Sequence, residues 1–198
     1  MNLSSSTFRG GTRIGAAVVA ALIAAGASAA RAGDWRHFRG TDQTAVLRPG
    51  EDIPPVRSHD QPVWKVELPG PGPSSPIIVA GRVLLTSAVE PNQDELRLSC
   101  LDAESGVKLW ETRFWATGST VFNAFGGIAA STPSSDGRVV VVQYSSNDLA
   151  CFDLDGRPRW FRPLGWERPF LRNDVGMASS PRIVGDVVVV QAESLLDA

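Results

Sequence analysis

The sequence predicts an all-β fold of tandem sheet modules, each with four antiparallel strands, and three observations carry that reading. One phrase occurs three times: Ser75–Leu85, Thr132–Val141 and Ser180–Val189 each run from Ser/Thr-Pro through a glycine turn into an aliphatic stretch. A second phrase, Cys100–Trp110 and Cys151–Trp160, sits between those copies in the same order. The 198 residues are 43% hydrophobic and 20% charged with 19 Gly and 14 Pro, too apolar for a disordered chain and too turn-rich for a helical bundle.

The first 32 residues read as an export signal. Arg9 and Arg13 precede an uncharged apolar stretch, Ile14–Ala27, and Ala30-Arg31-Ala32 supplies a small-x-small cleavage site. The alternative is an uncleaved anchor, but the stretch is shorter than a spanning helix and rich in weakly inserting alanine. An exported chain, periplasmic or secreted, is therefore expected. Membrane contact is expected only through an uncleaved signal.

Residues 33–62 form an N-terminal arm, and 63–198 hold the modules. Val63–Leu68 reads as an orphan outer strand carrying Trp64, followed by modules at 76–115 and 132–164 and part of a third at 180–192. Within a module the first strand follows Ser/Thr-Pro and ends at Ala80-Gly81, Asp136-Gly137 or Gly185-Asp186, pairs suited to positive φ. The second strand is Arg82–Ala88, Arg138–Tyr144 or Asp186–Ala192. Val139–Val142 and Val187–Val190 are unbroken apolar runs, as expected of a strand buried on both faces. The third is Leu96–Asp102 or Leu149–Asp153. A glycine turn then leads into a fourth strand that carries Trp110 or Trp160. Sheets stacked face to face bury both sides of their inner strands, so these modules read as β-propeller blades, about two and a half of them in an incomplete ring.

The second phrase has a physical task. Asp102 and Asp153 can bond turn amides with their side chains, Gly106 and Gly156 open the turn, and Trp64, Trp110 and Trp160 are placed to lay an indole on the neighbouring module and donate its N–H to a carbonyl there. Cys100-Leu-Asp-Ala-Glu-Ser-Gly-Val-Lys-Leu-Trp110 resembles the tryptophan-docking motif of pyrroloquinoline-quinone (PQQ) type propeller repeats, Ala-x-Asp-x-x-Thr-Gly-x-x-x-Trp, with Cys100 for Ala and Ser105 for Thr. Cys151–Trp160 is a shorter, degenerate copy. Asp34-Trp-Arg-His-Phe-Arg-Gly40 followed by Trp64-Lys-Val66 is similar to the opening of exported PQQ-like propeller proteins common in planctomycetes. The resemblance implies a closed ring of seven or eight blades. The chain is thus expected to be a truncated N-terminal fragment whose partners include the missing blades. A WD40-type propeller is disfavoured, because Trp follows the turn instead of closing a strand as Trp-Asp.

Several functions are excluded or weakened. Nineteen Lys+Arg against 21 Asp+Glu give no basic excess for nucleic acid. Two Cys, at matching positions of adjacent modules, are expected as buried, unbridged core residues. His37 and His59 are the only histidines and assemble no triad or zinc site, with His37 expected to pack or cap beside Trp35 and Phe38. The loops into the first strands, 69–75, 116–131 and 165–179, are the candidate binding face, with Asn123, Arg172, Asn173 and Asp174 as candidate residues. No cofactor is assigned. PQQ and calcium enter only through the family resemblance, and the adjacent Cys pair of the quinoprotein dehydrogenases is missing. The expectation is a non-catalytic extracytoplasmic scaffold or binding module with an unidentified protein or small-molecule partner. The alternative is part of a PQQ- and calcium-dependent dehydrogenase.

Overall fold

The apolar runs fold as antiparallel strands in a computed structural model that describes residues 33–46, 61–72, 74–89, 91–122, 126–168 and 176–192. The export signal at 1–32 and the loop candidates Asn123, Arg172, Asn173 and Asp174 lie outside the described residues. The first module is a meander of β1 (Ile77–Val79), β2 (Arg82–Val89), β3 (Glu95–Asp102) and β4 (Lys108–Trp115), in that order across the sheet. The second repeats it with β5 (Ser134–Ser135), β6 (Val139–Gln143), β7 (Asp148–Asp153) and β8 (Pro158–Pro163). The third holds a hairpin, β9 (Arg182–Val184) with β10 (Val187–Val189).

The modules share one register around their cysteines. Leu84 of β2 faces Cys100, and Val141 of β6 faces Cys151. Both sheets also shift register at the same place, after Cys100 and after Cys151. Leu109 and Arg159 are thereby left as extra residues. Such a bulge twists a strand and re-aims its side chains, here just before each tryptophan.

Period two explains the unbroken valine run. Val140 and Val142 face the first module, in one core with Ile77, Leu84, Leu98, Cys100 and Phe152. Val139 and Val141 face the third, packing with Leu149, Cys151, Ile183 and Val188. A strand between two stacked sheets needs apolar residues on both sides. Each such side chain contributes about 1.5–3 kcal/mol on burial. Tyr144 adds a polar tie, its hydroxyl donating to Arg97 O at 2.7 Å across the module boundary.

The sheets converge at their first strands. β5 lies against β9, and Ile183 N–H donates to Ser134 Oγ at 3.3 Å. The outer strand β8 is mostly exposed. This fan of stacked, unclosed four-stranded meanders is a partial β-propeller.

Three details add to the sequence reading. Residues 63–68 make no strand pairing among the described residues. All but Trp64 are exposed there, so solvent can reach the backbone that a ladder would otherwise bond. The second strand of the third module covers only Val187–Val189, because no third strand among the described residues extends its ladder. One turn of helix, α1 (Leu164–Glu167), follows β8 and is held by an Arg162–Glu167 ion pair.

Candidate functional site

The tryptophan phrase brings sequence-distant residues together at the module boundaries. In the first copy Asp102 Oδ1 accepts from the Ser105 N–H at 2.8 Å and the Ser105 hydroxyl at 2.6 Å, and Gly106 N–H returns to Asp102 O at 2.9 Å. This closes the turn and fixes Gly106 at φ +72°. The Trp64 ring covers that glycine: a β-carbon there would lie 2.6 Å from Cδ2. Trp64 Nε1–H donates to Ala103 O at 3.0 Å.

The second copy repeats the geometry with different residues. Asp153 Oδ1 accepts from the N–H groups of Asp155 and Arg157 at 3.0 and 2.9 Å. The Arg157 amide is the main cause that holds this carboxyl below its ordinary range. Gly156 sits at φ +82° beneath Trp110, whose Nε1–H donates to Leu154 O at 3.0 Å. Trp160 differs. It is 37% exposed, and its indole N–H makes no hydrogen bond with any described residue.

A second set of contacts gathers at the converging first strands. Trp35 and Ile78 exchange backbone hydrogen bonds of 2.8 and 2.9 Å, adding the arm to the free edge of β1. Arg36 O accepts from Ser135 N–H at 2.9 Å, and the Arg36 guanidinium reaches Asp136 O and Asp34. His37 Nδ1 lies 2.7 Å from Ser134 Oγ. The arm thus spans two modules, and His37 has a distant partner where the sequence suggested a local one. Burial, then the charges of Arg182 and Arg36, lowers the His37 pKa below 6.5.

A Ser–His contact is the beginning of a nucleophilic site. Here the pair lacks the rest: Ser134 is fully buried, its oxygen already accepts from Ile183 N–H, and the charges acting on His37 are arginines instead of an orienting carboxylate. The geometry is that of a clasp.

The hydroxyls before the repeated prolines form a further tie. Ser75 N–H donates to Thr132 Oγ1 at 3.3 Å, and Thr132 N–H to Ser180 Oγ at 3.0 Å. Asp148, fully buried, accepts from the Thr117 N–H, the Thr117 hydroxyl and the Ser146 hydroxyl, pinning the loop after β4 onto the second module. Sequence reasoning missed both. The recurrence of Ser/Thr before Pro was the signal for the first; the second left none in the repeat pattern. Cys100 and Cys151 are free and buried, and burial pushes both thiols up to about 11.

A quinone and calcium centre needs a converging set of oxygen ligands and open space at the axis. Among the described residues no group of three His, Cys, Asp or Glu side chains converges to hold a metal. The edge of β1 and the end of β5 are bonded to the arm. The described residues do not fit that group.

Stacked four-stranded meanders joined at their first strands define the chain as a propeller-type repeat protein. A family model described as outer membrane protein assembly factor BamB matches residues 56–195, well over half the chain, and the chain belongs to that family of PQQ-like repeats. Among solved structures it is similar to the quinohemoprotein alcohol dehydrogenase from Comamonas testosteroni, at 15% identity and TM-score 0.53, covering 85% of this chain and 24% of that one. It is also similar to BamB from Moraxella catarrhalis, at 19% identity and TM-score 0.45, covering 66% of this chain and 33% of that one. The chain thus spans a third or less of these structures, and at such identity the first likeness shows the fold alone. The curated proteins give no match.

Proposed function

We propose that this chain is part of a larger, non-catalytic propeller that works as a scaffold or protein-binding module outside the cytoplasm, its modules held together by docked tryptophans. The observation that carries the reading is the arm at the inner strands. Trp35, Arg36 and His37 bond the edges of β1 and β5, so residues of the chain itself join the inner strands of two modules as a structural clasp would. The family description, an outer membrane protein assembly factor, supports a binding role and export. The apolar stretch ahead of Ala30-Arg31-Ala32 supports export independently.

The Trp64–Ala103 and Trp110–Leu154 hydrogen bonds support a structural role for Asp102, Gly106, Asp153 and Gly156. Asn123, Arg172, Asn173 and Asp174 remain the proposed partner-facing residues. The test is incubation of the purified protein with PQQ and Ca²⁺, following quinone absorbance and dye reduction with alcohols or sugars. No saturable binding and no turnover are expected. Saturable binding with turnover would make the chain part of a quinoprotein dehydrogenase.

A further inference from the structure

We propose that the cleft between the arm and β9 binds a phosphate monoester, with the phosphate held by Arg39 and Arg182 and the organic part lying on Phe38 and Pro181. The inference goes beyond the scaffold reading and does not depend on it.

The cleft has a volume of about 320 Å³. The arm lines it with His37, Phe38, Arg39 and Gln43, and the third module with Ser180, Pro181 and Arg182. No carboxylate lines it. Asp34 of the arm is engaged by Arg36 and by the Ala80 N–H. Both lining arginines are exposed, and neither is ion-paired among the described residues. A guanidinium offers a planar fork of donors that matches phosphate oxygens.

Arg182 departs from the repeat. It stands where the earlier copies carry Ile77 and Ser134. Pairing confirms the equivalence: Arg182 faces Val189 as Ile77 faces Leu84 and Ser134 faces Val141. An apolar or small residue suffices there for the strand, so the fold does not require the charge. That charge acts on the His37 ring, which places the two groups in one neighbourhood.

The arm holds its side chains in a costly backbone. Arg39 and Gln43 sit at φ +65° and +59°. Glycine takes that conformation freely, and residues with a β-carbon do not. Such outliers cluster at ligand-binding sites. The turn is fixed by three hydrogen bonds: Gly40 N–H to His37 O at 3.0 Å, Gln43 N–H to Gly40 O at 3.0 Å and Ala45 N–H to Arg39 O at 2.8 Å. A ligand therefore meets an arm already ordered.

The neutral donors follow from the same bonds. Ser134 Oγ accepts from Ile183 N–H and gives its own proton to His37 Nδ1. The neutral imidazole then carries its proton on Nε2. Ser180 Oγ accepts from Thr132 N–H, which leaves its hydroxyl proton for the cleft. The Gln43 amide is a third donor. Two positive charges with three neutral donors suit a tetrahedral dianion better than a carboxylate, which has one charge and two oxygens. Phe38, 52% exposed, and Pro181 give an apolar wall that an organic group can cover.

The experiment titrates the full-length protein with phenyl phosphate, inorganic phosphate and benzoate at constant ionic strength. Calorimetry and ¹⁵N NMR are the readouts. The variants are Arg182→Ser, matching the second module, and Arg113→Gln, on β4 and outside the cleft. Both positions are exposed, so both variants are expected to fold, and an unmoved Trp110 indole resonance reports that they do. The proposal expects phenyl phosphate to saturate at millimolar concentration and to move the His37 ring resonance. Inorganic phosphate should bind more weakly, and benzoate most weakly. Arg182→Ser should lose about 10-fold in affinity or more, and Arg113→Gln less than about 2-fold. No saturation overturns the proposal. Equal losses in the two variants overturn it too, since they mark non-specific charge attraction. Inorganic phosphate binding as tightly as the ester would remove Phe38 and Pro181 from the site, and benzoate binding as tightly would refute the phosphate assignment.

Discussion

The ring of Trp110 rests against the backbone of Gly156, so close that a β-carbon at Gly156 would lie 2.7 Å from Cε3. Two residues from different sheets thereby share one requirement: the turn must take a positive φ and must carry no side chain.

Substitution at that turn separates the two demands. Gly185 sits at φ +57°, and a β-carbon added there would meet nothing within 4 Å, so alanine costs only the backbone term, about 1–2 kcal/mol. Gly156→Ala adds displacement of the Trp110 ring, about 1–3 kcal/mol more. Urea unfolding of the two variants checks the difference. Equal losses would mean that the indole does not constrain the turn.

Removing the indole N–H asks the same question from the other side. Trp110→Phe loses a hydrogen bond and packing area, for a destabilisation of about 1–3 kcal/mol. Trp160→Phe, with no bond to a described residue to lose, is expected to fall within about 0.5 kcal/mol of the parent. Chemical denaturation monitored by far-UV circular dichroism reads both.

The buried carboxylate of Asp148 collects three donors from Thr117 and Ser146. Asp148→Ala strands them away from water and is expected to cost about 3 kcal/mol or more. Loss of protection at the Thr117 amide in hydrogen exchange should accompany it. A near-neutral variant would remove this carboxylate from the account of how the loop is held.

His37 gives the arm a pH dependence. Its folded pKa lies below the unfolded 6.5, so between the two values the unfolded chain binds a proton that the folded chain refuses. The stabilisation is present above pH 6.5 and is lost as the pH falls through the folded pKa. His37→Gln should flatten that part of the stability profile, measured by thermal unfolding between about pH 5 and 7.

Both thiols are buried and raised to about 11. Cys100 and Cys151 are therefore expected to resist a thiol reagent at about pH 8 in the folded protein and to react in urea. Rapid labelling without denaturant would place them outside the cores between modules.

Much of this architecture was legible because it is written locally. The glycine turns, the two-sided valine run of β6 and the spacing of the tryptophans each follow from short-range rules of strand and turn chemistry. What was not legible depends on contacts far along the chain. Nothing around Trp35 announces a pairing with Ile78, and His37 meets Ser134 only because the first strands converge. The bulges at Leu109 and Arg159 were hidden for another reason: they leave composition unchanged and appear only as an offset in pairing. The short third-module strand and the unpaired residues 63–68 show the limit of local propensity, since a strand needs a neighbour to satisfy its backbone.

The central claim is that Trp64 and Trp110 each dock an indole on the module that follows, while Trp160 of the second module has no bonded carbonyl among the described residues. Hydrogen–deuterium exchange at the indole N–H groups, followed by ¹⁵N NMR, tests it most directly. The account predicts slow exchange at Trp110, whose N–H is bonded to Leu154 O, and fast exchange at Trp160. Equal rates at the two, or slower exchange at Trp160, would contradict it.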